Sequence, residues 1–459
     1  MMMHQWMQWF GADEVVFKLP AFVFGILLIP AIYWLGCVAY SKNTGVLAAA
    51  IAAFAPDAIY YSQEARPYTL TALLCCLGMA FYLKLLKSPR QRMNQLGFIV
   101  CGALLLYSQY TGALLIVSLG ITTLYLWWRP KTIPLIPFVG VFGAIGVLFL
   151  PWIPVFFDHL AIGSPWAPKA SWLFRPVIVL SQLLYAMLIP TAGSFFTAAV
   201  LTIALILGVR QRRKLSDPFP KKLLALQPTT LVLSLNVVLP ATMLAILSYD
   251  TYRYMLAFTP AAWVIYAHGL EMLLHTVNLK WKGSLGNLQR MTIWGTLIFF
   301  LVVPSTIDAF FAGTAKSGIR AIAAEMQTQP QDKTLYLLSP DVFGPTFGYY
   351  FANTRPTFHG FARWNHPEFF SPRDYAPLWD NPTLLPDTMQ RIQTLASQGY
   401  QTLALVQAKG TVADGGTLKF SRANTLLATL KQRYPLLNKK DYPARKEPIA
   451  LYLFSLTPL

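Results

Sequence analysis

A short polar stretch, "SQEARPY" at residues 62–68, interrupts an otherwise apolar part of the sequence. It places Gln63, Glu64, Arg66 and Tyr68 between two hydrophobic segments, with an acid and a base two positions apart. Charged and aromatic residues at the end of a membrane helix often only anchor it at the interface, while charge kept inside a membrane protein usually serves a function. The stretch therefore predicts either a helix-end anchor or a polar site held at the bilayer surface.

A second stretch, "DTYRYMLAFTP" at 250–260, brings Arg253 and Tyr254 to the start of another apolar segment. The planar guanidinium of arginine stays charged and donates two parallel hydrogen bonds, which suits a phosphate group. The alternative is an arginine that only extends its charge to the membrane interface. The stretch thus predicts an anion site or an interfacial anchor.

Two further positions could contribute polar groups. Tyr110 lies in "YSQYTG" (107–112), where its hydroxyl either binds a sugar or caps a helix end. Lys18 follows Asp13 and Glu14 just before the first apolar run, and these three form either part of a site or a solvated turn. The six histidines show no metal-ligand spacing, so no cofactor is assigned, and assistance by a divalent cation stays open.

The elements that carry these residues are membrane helices. The chain has 459 residues, of which 55% are hydrophobic and only 12% charged. Soluble domains carry about 25% charged residues, so this composition indicates a polytopic membrane protein. The net charge of +18 does not indicate nucleic-acid binding, because the basic residues occupy short loops between apolar runs.

Ten spans are predicted from the apolar runs, and positive loops orient them. The runs are 19–40, 45–60, 67–86, 96–109, 111–128, 133–157, 192–209, 229–248, 255–275 and 291–311. The basic loop 210–222 is placed in the cytoplasm, which makes 174–190 a helix at the outer surface or re-entrant. Residues 1–18, predicted to be the remnant of an external loop, and residues 312–459 then lie outside the cytoplasm.

The region 312–459 differs in character from the membrane domain 19–311. Buried strands are predicted at 333–340, 400–408 and 448–456, and amphipathic helices at 318–327, 387–398 and 422–434. Alternating strands and helices predict a small α/β domain. No glycine-rich phosphate loop follows its first strand, so no nucleotide is assigned.

The sequence resembles a known group of enzymes. The stretches that carry the resemblance are "GADEVVFKLPAFVFGILLIPAIYWLG", "APDAIYYSQEARPYTLTALL", "YSQYTGALL" and "DTYRYMLAFTPA", in this order. They are similar to bacterial membrane glycosyltransferases related to the dolichyl-phosphate-mannose protein mannosyltransferases and the lipid A aminoarabinose transferase, which have the C-type, multi-span fold. The resemblance covers about 10–311, and "SQEARPY" is its most specific part.

This resemblance implies transfer of a sugar from a polyprenyl-phosphate carrier to a glycolipid, lipopolysaccharide or protein acceptor, at a bacterial inner membrane. It implies that Arg253 faces the carrier phosphate and that Glu64 and Arg66 help to shape the sugar and acceptor site. Tyr254 and Lys18 are further candidates for the carrier phosphate, although the family often has an arginine where Lys18 stands. Gln63, Tyr68 and Tyr110 are further candidates for the sugar and acceptor site.

One part of the family pattern is absent from the sequence. The family's catalytic aspartate usually lies in an Asp-Glu motif after an N-terminal helix, before the "FG" that is Phe10-Gly11 here. The expectation is therefore an upstream extension with one more helix and an acidic loop, and the catalytic residue is unassigned. Two alternatives stay open: a transporter or flippase of polyprenyl-linked glycans, and an inactive relative that only binds the carrier.

Overall fold

A computed structural model describes residues 2–11, 13–128, 133–162, 175, 177–178, 228–246, 252–280, 317–326, 333–351, 356–365, 378–409, 416–444 and 447–457. The chain divides into two compact units. The first comprises residues 1–158 and 169–309, and the second comprises residues 159–168 and 310–459. The predicted spans 192–209 and 291–311, the loop 210–222 and nearly all of 174–190 lie outside the described residues.

The first unit is helical. Its helices are α1 (Met2–Phe10), α2 (Glu14–Ala39), α3 (Lys42–Phe54), α4 (Pro56–Ser62), α5 (Tyr68–Lys87), α6 (Arg92–Ser108), α7 (Ala113–Trp128), α8 (Leu135–Phe149), α9 (Ile153–Ile162), α10 (Pro228–Ile246) and α11 (Thr259–Lys280). Short 3₁₀ turns cover Tyr110–Gly112, Leu150–Trp152 and Tyr252–Ala257.

Five segments within the described residues are long and apolar enough to cross a membrane: Glu14–Ala39, Tyr68–Lys87, Tyr110–Trp128, Leu135–Ala161 and Pro228–Ile246. The pair Lys42–Phe54 and Pro56–Ser62 makes a sixth if the two helices form one span. The chain is thus an integral membrane protein, as its composition predicts. Apolar side chains such as Phe22, Ile26 and Val139 are exposed on the helices, as a lipid-facing surface requires.

The predicted span 45–60 is not one straight helix, because the chain bends by 59° between α3 and α4. Pro56 is the first residue of α4 and has no backbone N–H to continue the preceding helix. Ala55 before it is extended, with φ −68° and ψ 116°, as a residue preceding proline prefers. The bend turns α4 away from the axis of α3 just before "SQEARPY".

Within residues 1–18, predicted from the sequence to be the remnant of an external loop, the described residues form two helical segments. Met2–Phe10 forms α1, and Glu14 to Lys18 make the first turns of α2. Trp6 packs against Phe10 at 4.3 Å between ring centroids, and its indole N–H donates to the Val16 carbonyl at 2.8 Å. Gly11 has φ +92°, which glycine adopts easily, and it separates the two helices.

Helix α5 lies at the centre of this unit, and 72% of the residues in its apolar stretch are buried. It packs against α2 on one side and α6 on the other, while α2 also packs along α3. Gly25 of α2 lies against Ser62 of α4, since a Cβ at residue 25 would be 2.6 Å from the Ser62 Cβ. This close approach fixes the end of α4 beside α2.

The second unit is the predicted small α/β domain. Its elements are α12 (Ile319–Met326), β1 (Thr334–Ser339), α13 (Gly344–Tyr350), β2 (Phe358–Gly360), α14 (Leu384–Ser397), β3 (Thr402–Ala408), α15 (Gly416–Arg433), β4 (Leu436–Tyr442) and β5 (Ile449–Ser455). The sheet has the order β2-β1-β3-β5-β4. β1 is parallel to β2 and β3, whereas β5 is antiparallel to β3 and β4.

The predicted strands and helices of this domain are confirmed, with shifts of a few residues at their ends. The elements absent from the prediction are β2, β4 and α13. β2 has only three residues, and β4 reads "LLNKKDY" with six of its seven residues exposed. Neither carries the buried apolar run by which β1, β3 and β5 were predicted.

Candidate functional site

The "SQEARPY" stretch forms the turn between α4 and α5. Ser62 ends α4 and its hydroxyl donates to the Ile59 carbonyl at 2.7 Å, while the Arg66 N–H donates to the Glu64 carbonyl at 2.7 Å. Pro67 precedes Tyr68, the first residue of α5. Gln63 and Arg66 are exposed, Glu64 is half-buried, and Tyr68 is 6% exposed. The turn therefore exposes its base and leaves its acid partly accessible, while its aromatic residue enters the helix packing.

A tyrosine that sequence reasoning missed acts on Glu64. The hydroxyl of Tyr60 donates to Glu64 Oε1, across one turn of chain. The next tyrosine, Tyr61, lies within electrostatic range of Asp57 and Glu64. The signal was available in "DAIYYSQE", because Asp57–Tyr61 and Tyr60–Glu64 are i, i+4 pairs that share a helix face.

The aromatic rings of three elements form a row of edge-to-face contacts. Tyr60 packs on Tyr61 and Tyr61 packs on Tyr68, each with ring centroids 5.1 Å apart. Tyr68 in turn lies 6.3 Å from Tyr254. Tilted arrangements at these separations are the favoured ones for aromatic pairs. The row joins the turn after α4 to the segment 252–257, which is distant in sequence.

Arg253 sits at the far end of this row. Its Cζ lies 5.3 Å from the centroid of the Tyr254 ring, within the range of a cation–π contact. Arg253 also lies within electrostatic range of Tyr61 and Tyr68. The structure thus brings Arg253 and Tyr254 together with Glu64, Arg66 and Tyr68, the residues of the two main polar stretches.

The expected placement of Arg253 at the N-terminus of a helix over 255–275 is wrong. Arg253 belongs to the 3₁₀ turn Tyr252–Ala257, and α11 begins only at Thr259. The Thr259 hydroxyl donates to the Leu256 carbonyl at 2.9 Å, which ends that turn. The positive end of the α11 dipole therefore lies several residues beyond Arg253, and the guanidinium itself is the charge available to an anion.

Lys18 lies on the first turns of α2 and pairs with Glu14 at 2.5 Å. Both side chains are about one-third exposed or more, so the pair contributes little to stability. One turn further along α2, the Ala21 carbonyl accepts a hydrogen bond from Thr69 at 2.9 Å. Since Thr69 follows Tyr68, Lys18 lies at the same end of the helix packing as the aromatic row.

The described contacts of Tyr110 are with residues outside the aromatic row. Its hydroxyl accepts a hydrogen bond from the Trp152 indole at 3.1 Å, and its ring packs on Phe156 at 5.1 Å. The adjacent Gln109 accepts a hydrogen bond from Thr71 of α5 at 3.2 Å. The "YSQYTG" stretch therefore approaches the start of α5 through Gln109, and the role of Tyr110 in a sugar site stays a prediction.

The geometry suits an anionic, polyhydroxylated ligand. Arg253 lies at one end of a row of phenols, and Arg66 and Glu64 lie within electrostatic range of Tyr68 in that row. Such groups bind phosphate oxygens and sugar hydroxyls. Among the residues that the structure describes, no three His, Cys, Asp or Glu side chains gather as metal ligands would.

Comparison with known proteins gives a likeness of fold. No protein-family model and no curated protein sequence matches the chain. The crystal structure of ArnT from Cupriavidus metallidurans bound to undecaprenyl phosphate is similar, with a TM-score of 0.54 at 12% identity, over 99% of this chain and 86% of that one. ArnT in the apo state gives a TM-score of 0.52.

A second solved protein shares this architecture. The apo oligosaccharyltransferase of Archaeoglobus fulgidus is similar with a TM-score of 0.50 at 12% identity, over 92% of this chain and 62% of that one. The chain thus spans less than two thirds of the archaeal protein. At such identities the likeness concerns the fold, and residue roles depend on the geometry of this chain.

Proposed function

We propose that this chain, which has the fold of the C-type membrane glycosyltransferases, transfers a sugar from a polyprenyl-phosphate carrier to an acceptor outside the cytoplasm. The observation that carries the proposal is the packing of Tyr254, next to Arg253, against Tyr68 of "SQEARPY". Two stretches far apart in sequence thereby form one cationic and aromatic surface. The fold supports the same conclusion, since ArnT with this architecture binds undecaprenyl phosphate.

In this reaction an acceptor hydroxyl attacks the anomeric carbon of the carrier-linked sugar, and the bond between that carbon and the phosphate oxygen breaks. The hydroxyl proton passes to a base, and the polyprenyl phosphate leaves with an added negative charge. The guanidinium of Arg253 stabilises that charge as it develops, which lowers the barrier. Tyr254, under the guanidinium, holds it in place by the cation–π contact.

The remaining site residues then have separate roles. Glu64, held by Tyr60, accepts hydrogen bonds from sugar or acceptor hydroxyls, and the exposed Arg66 and Gln63 border the entrance. Lys18 supplies a second positive charge at the same end of the helices. Tyr68 forms the apolar floor between the two polar stretches.

The enzyme is further proposed to lie in a bacterial inner membrane with the α/β domain in the periplasm. The support is the distribution of positive loops, above all 210–222. Cysteines introduced near Gly415 and near Ser216 test this orientation in spheroplasts. A membrane-impermeant thiol reagent should label the first and spare the second, and the reverse pattern would refute the periplasmic placement.

Substitution of Arg253 tests the proposed reaction. A charge-assisted hydrogen bond contributes about 1.5–3 kcal/mol, so Arg253→Ala should lose roughly ten- to hundredfold in sugar transfer. Arg253→Lys should lose less, because it keeps the charge without the bidentate fork. Transfer is measured in membranes alongside the thermal stability of each variant. Wild-type transfer by a folded Arg253→Ala protein would contradict the assignment.

A further inference from the structure

The edge strand β4 of the C-terminal sheet has an unusual surface. Leu436 and Leu437 are 43% and 60% exposed, and the strand continues with exposed Asn438, Lys439 and Lys440. The pairing with β5 shifts between Leu436 and Asn438, so Leu437 lies at a β-bulge. A bulge re-aims the side chain that it carries. Two adjacent leucines are thus presented to solvent beside two lysines.

Three of the cations around this strand gather on one face of the sheet. The ammonium groups of Lys431 and Lys439 lie 5.6 and 5.8 Å from the same Tyr452 ring. Lys409 is exposed nearby, as is Asp441, with which it pairs at 2.6 Å while Lys439 lies at 3.9 Å. Lys409 and Lys439 therefore share one carboxylate, and Lys431 adds a third positive charge, so this face has an excess of positive charge.

Lysines on an edge strand can also serve to prevent pairing with other strands. That explanation accounts for Lys439 and Lys440, and Lys440 is already paired with Glu325 at 2.6 Å. It does not account for Leu436 and Leu437, because exposed leucines on an edge strand promote association rather than prevent it. Apolar side chains among lysines are instead typical of surfaces that lie on a membrane.

We infer that Leu436, Leu437, Lys431 and Lys439 form a docking surface for the anionic lipid headgroups of the membrane in which the chain is embedded. The lysines attract the headgroup phosphates, and the two leucines enter the boundary between headgroups and acyl chains. Docking restrains the α/β domain at the membrane surface. The inference does not depend on the proposed sugar transfer.

The test uses the full chain, one copy per lipid nanodisc, with a fluorescent probe on Leu437→Cys. The unmodified chain, whose four cysteines lie in the helical unit, gives the labelling background. The matched probe position is Gln390→Cys, which is exposed on α14. Quenching by lipids with a headgroup nitroxide reports contact with the bilayer, in discs of phosphatidylcholine with or without phosphatidylglycerol.

The probe at 437 should be quenched in anionic discs and much less in neutral discs, while the probe at 390 should not respond. Neutralising Lys431 and Lys439 to Gln should lower the ratio of docked to undocked protein about 30-fold. The control pair Lys333→Gln and Arg391→Gln, which removes two exposed cations elsewhere, should leave quenching unchanged.

Equal quenching in neutral and anionic discs, or quenching that survives loss of both lysines, would overturn the inference. A signal seen only in vesicles with many copies per bilayer would also overturn it, since the surface would then contact a second chain. Sugar transfer measured on the same variants keeps this result separate from the proposed reaction.

Discussion

Two glutamates of the helical unit, Glu64 and Glu271, lie in polar clusters of opposite character. Glu64 accepts a hydrogen bond from Tyr60 of its own turn, and its neighbours Gln63 and Arg66 are exposed. Glu271 lies on α11, about 18 Å along that helix from Thr259. Its two oxygens accept from the Ser41 hydroxyl at 2.7 and 2.8 Å, and one of them also from Thr44.

The Glu271 cluster joins four helices. Ser41 caps the N-terminus of α3 by accepting the Thr44 N–H at 3.0 Å. His268 lies 3.7 Å from Glu271 and stacks on Tyr40 at 3.8 Å, and the Tyr40 hydroxyl bonds Thr230 of α10 at 3.0 Å. Because its donors Ser41 and Thr44 come from the start of α3, the carboxylate of Glu271 links α11 to α3 and helps to hold the fold together. Glu64, close to the exposed Arg66, is the carboxylate that we propose serves a ligand.

The largest expected effect is on stability at the Glu271 cluster. Glu271→Ala leaves the Ser41 and Thr44 hydroxyls without their acceptor and should cost about 3 kcal/mol, because lost partners of charged hydrogen bonds are expensive. Glu271→Gln keeps an acceptor oxygen and should cost less. Glu64→Ala should cost under about 1 kcal/mol, as typical for partly exposed positions. Thermal solubility in detergent ranks the three variants.

A Glu64→Ala protein that melts as early as Glu271→Ala would remove the distinction between the two clusters. In that case both carboxylates would be structural, and the site assigned to Glu64 would lose its basis.

Two closely packed glycines allow the helix packing near each cluster to be tested. A Cβ at Gly36, near the Glu271 cluster, would lie 2.7 Å from the backbone Cα of Gly45, whereas a Cβ at Gly25 meets the Ser62 side chain. Each alanine should cost roughly 1–3 kcal/mol by overpacking, with Gly36→Ala the larger because a backbone cannot rotate away. Adding Ser62→Gly should restore the stability lost in the Gly25→Ala protein, since it removes the Ser62 Cβ that the new methyl group would contact.

The readout is the thermal midpoint of the single and double variants, with Ser62→Gly alone as the control. Additive losses in the Gly25→Ala/Ser62→Gly protein would show that the two residues do not touch, contrary to the described packing.

Asp341 extends the comparison to the C-terminal domain, with a smaller effect. It is 3% exposed and accepts hydrogen bonds from the N–H groups of Ala362 and Arg363 at 3.0 and 2.8 Å. Burial raises the pKa of Asp341 to about 6, above its value in an unfolded chain, despite these bonds. The folded state then binds the proton more tightly, so this group's contribution to stability increases as pH falls from 7 to 5, by about 1 kcal/mol.

Asp341→Asn should remove that dependence, and the difference between wild type and variant is taken from thermal midpoints at pH 7 and pH 5. The comparison of slopes matters, because asparagine also changes the hydrogen bonds. An identical pH dependence in both proteins would show that Asp341 does not titrate in this range.

Hydrophobicity made much of the fold predictable. The strands β1, β3 and β5 lie in the interior of the sheet and are apolar on both faces, so their sequences stand out. The exposed edge strand β4 lacks that pattern and was missed. The bend before α4 was equally hidden in an apolar run, although Pro56 marks the position.

The candidate site was predictable in residue type but not in arrangement. Glu64, Arg66 and Arg253 stand out as charges in an apolar sequence. The contact of Tyr68 with Tyr254 depends on the packing of the 252–257 turn against α5, which no local pattern encodes. Tyr60 and Tyr61 resemble ordinary interfacial residues until the row of rings is seen.

The most direct test of the proposed carrier site measures binding rather than turnover. Undecaprenyl phosphate should raise the thermal midpoint of the purified wild-type chain, since a ligand that binds only the folded state stabilises it. The Glu271→Gln protein should show the same rise in thermal midpoint, measured from its own midpoint without ligand. Arg253→Lys should respond less, and Arg253→Ala should show almost no shift at the same concentration. A full shift in Arg253→Ala would contradict the account, because the carrier phosphate would then bind without the guanidinium assigned to it.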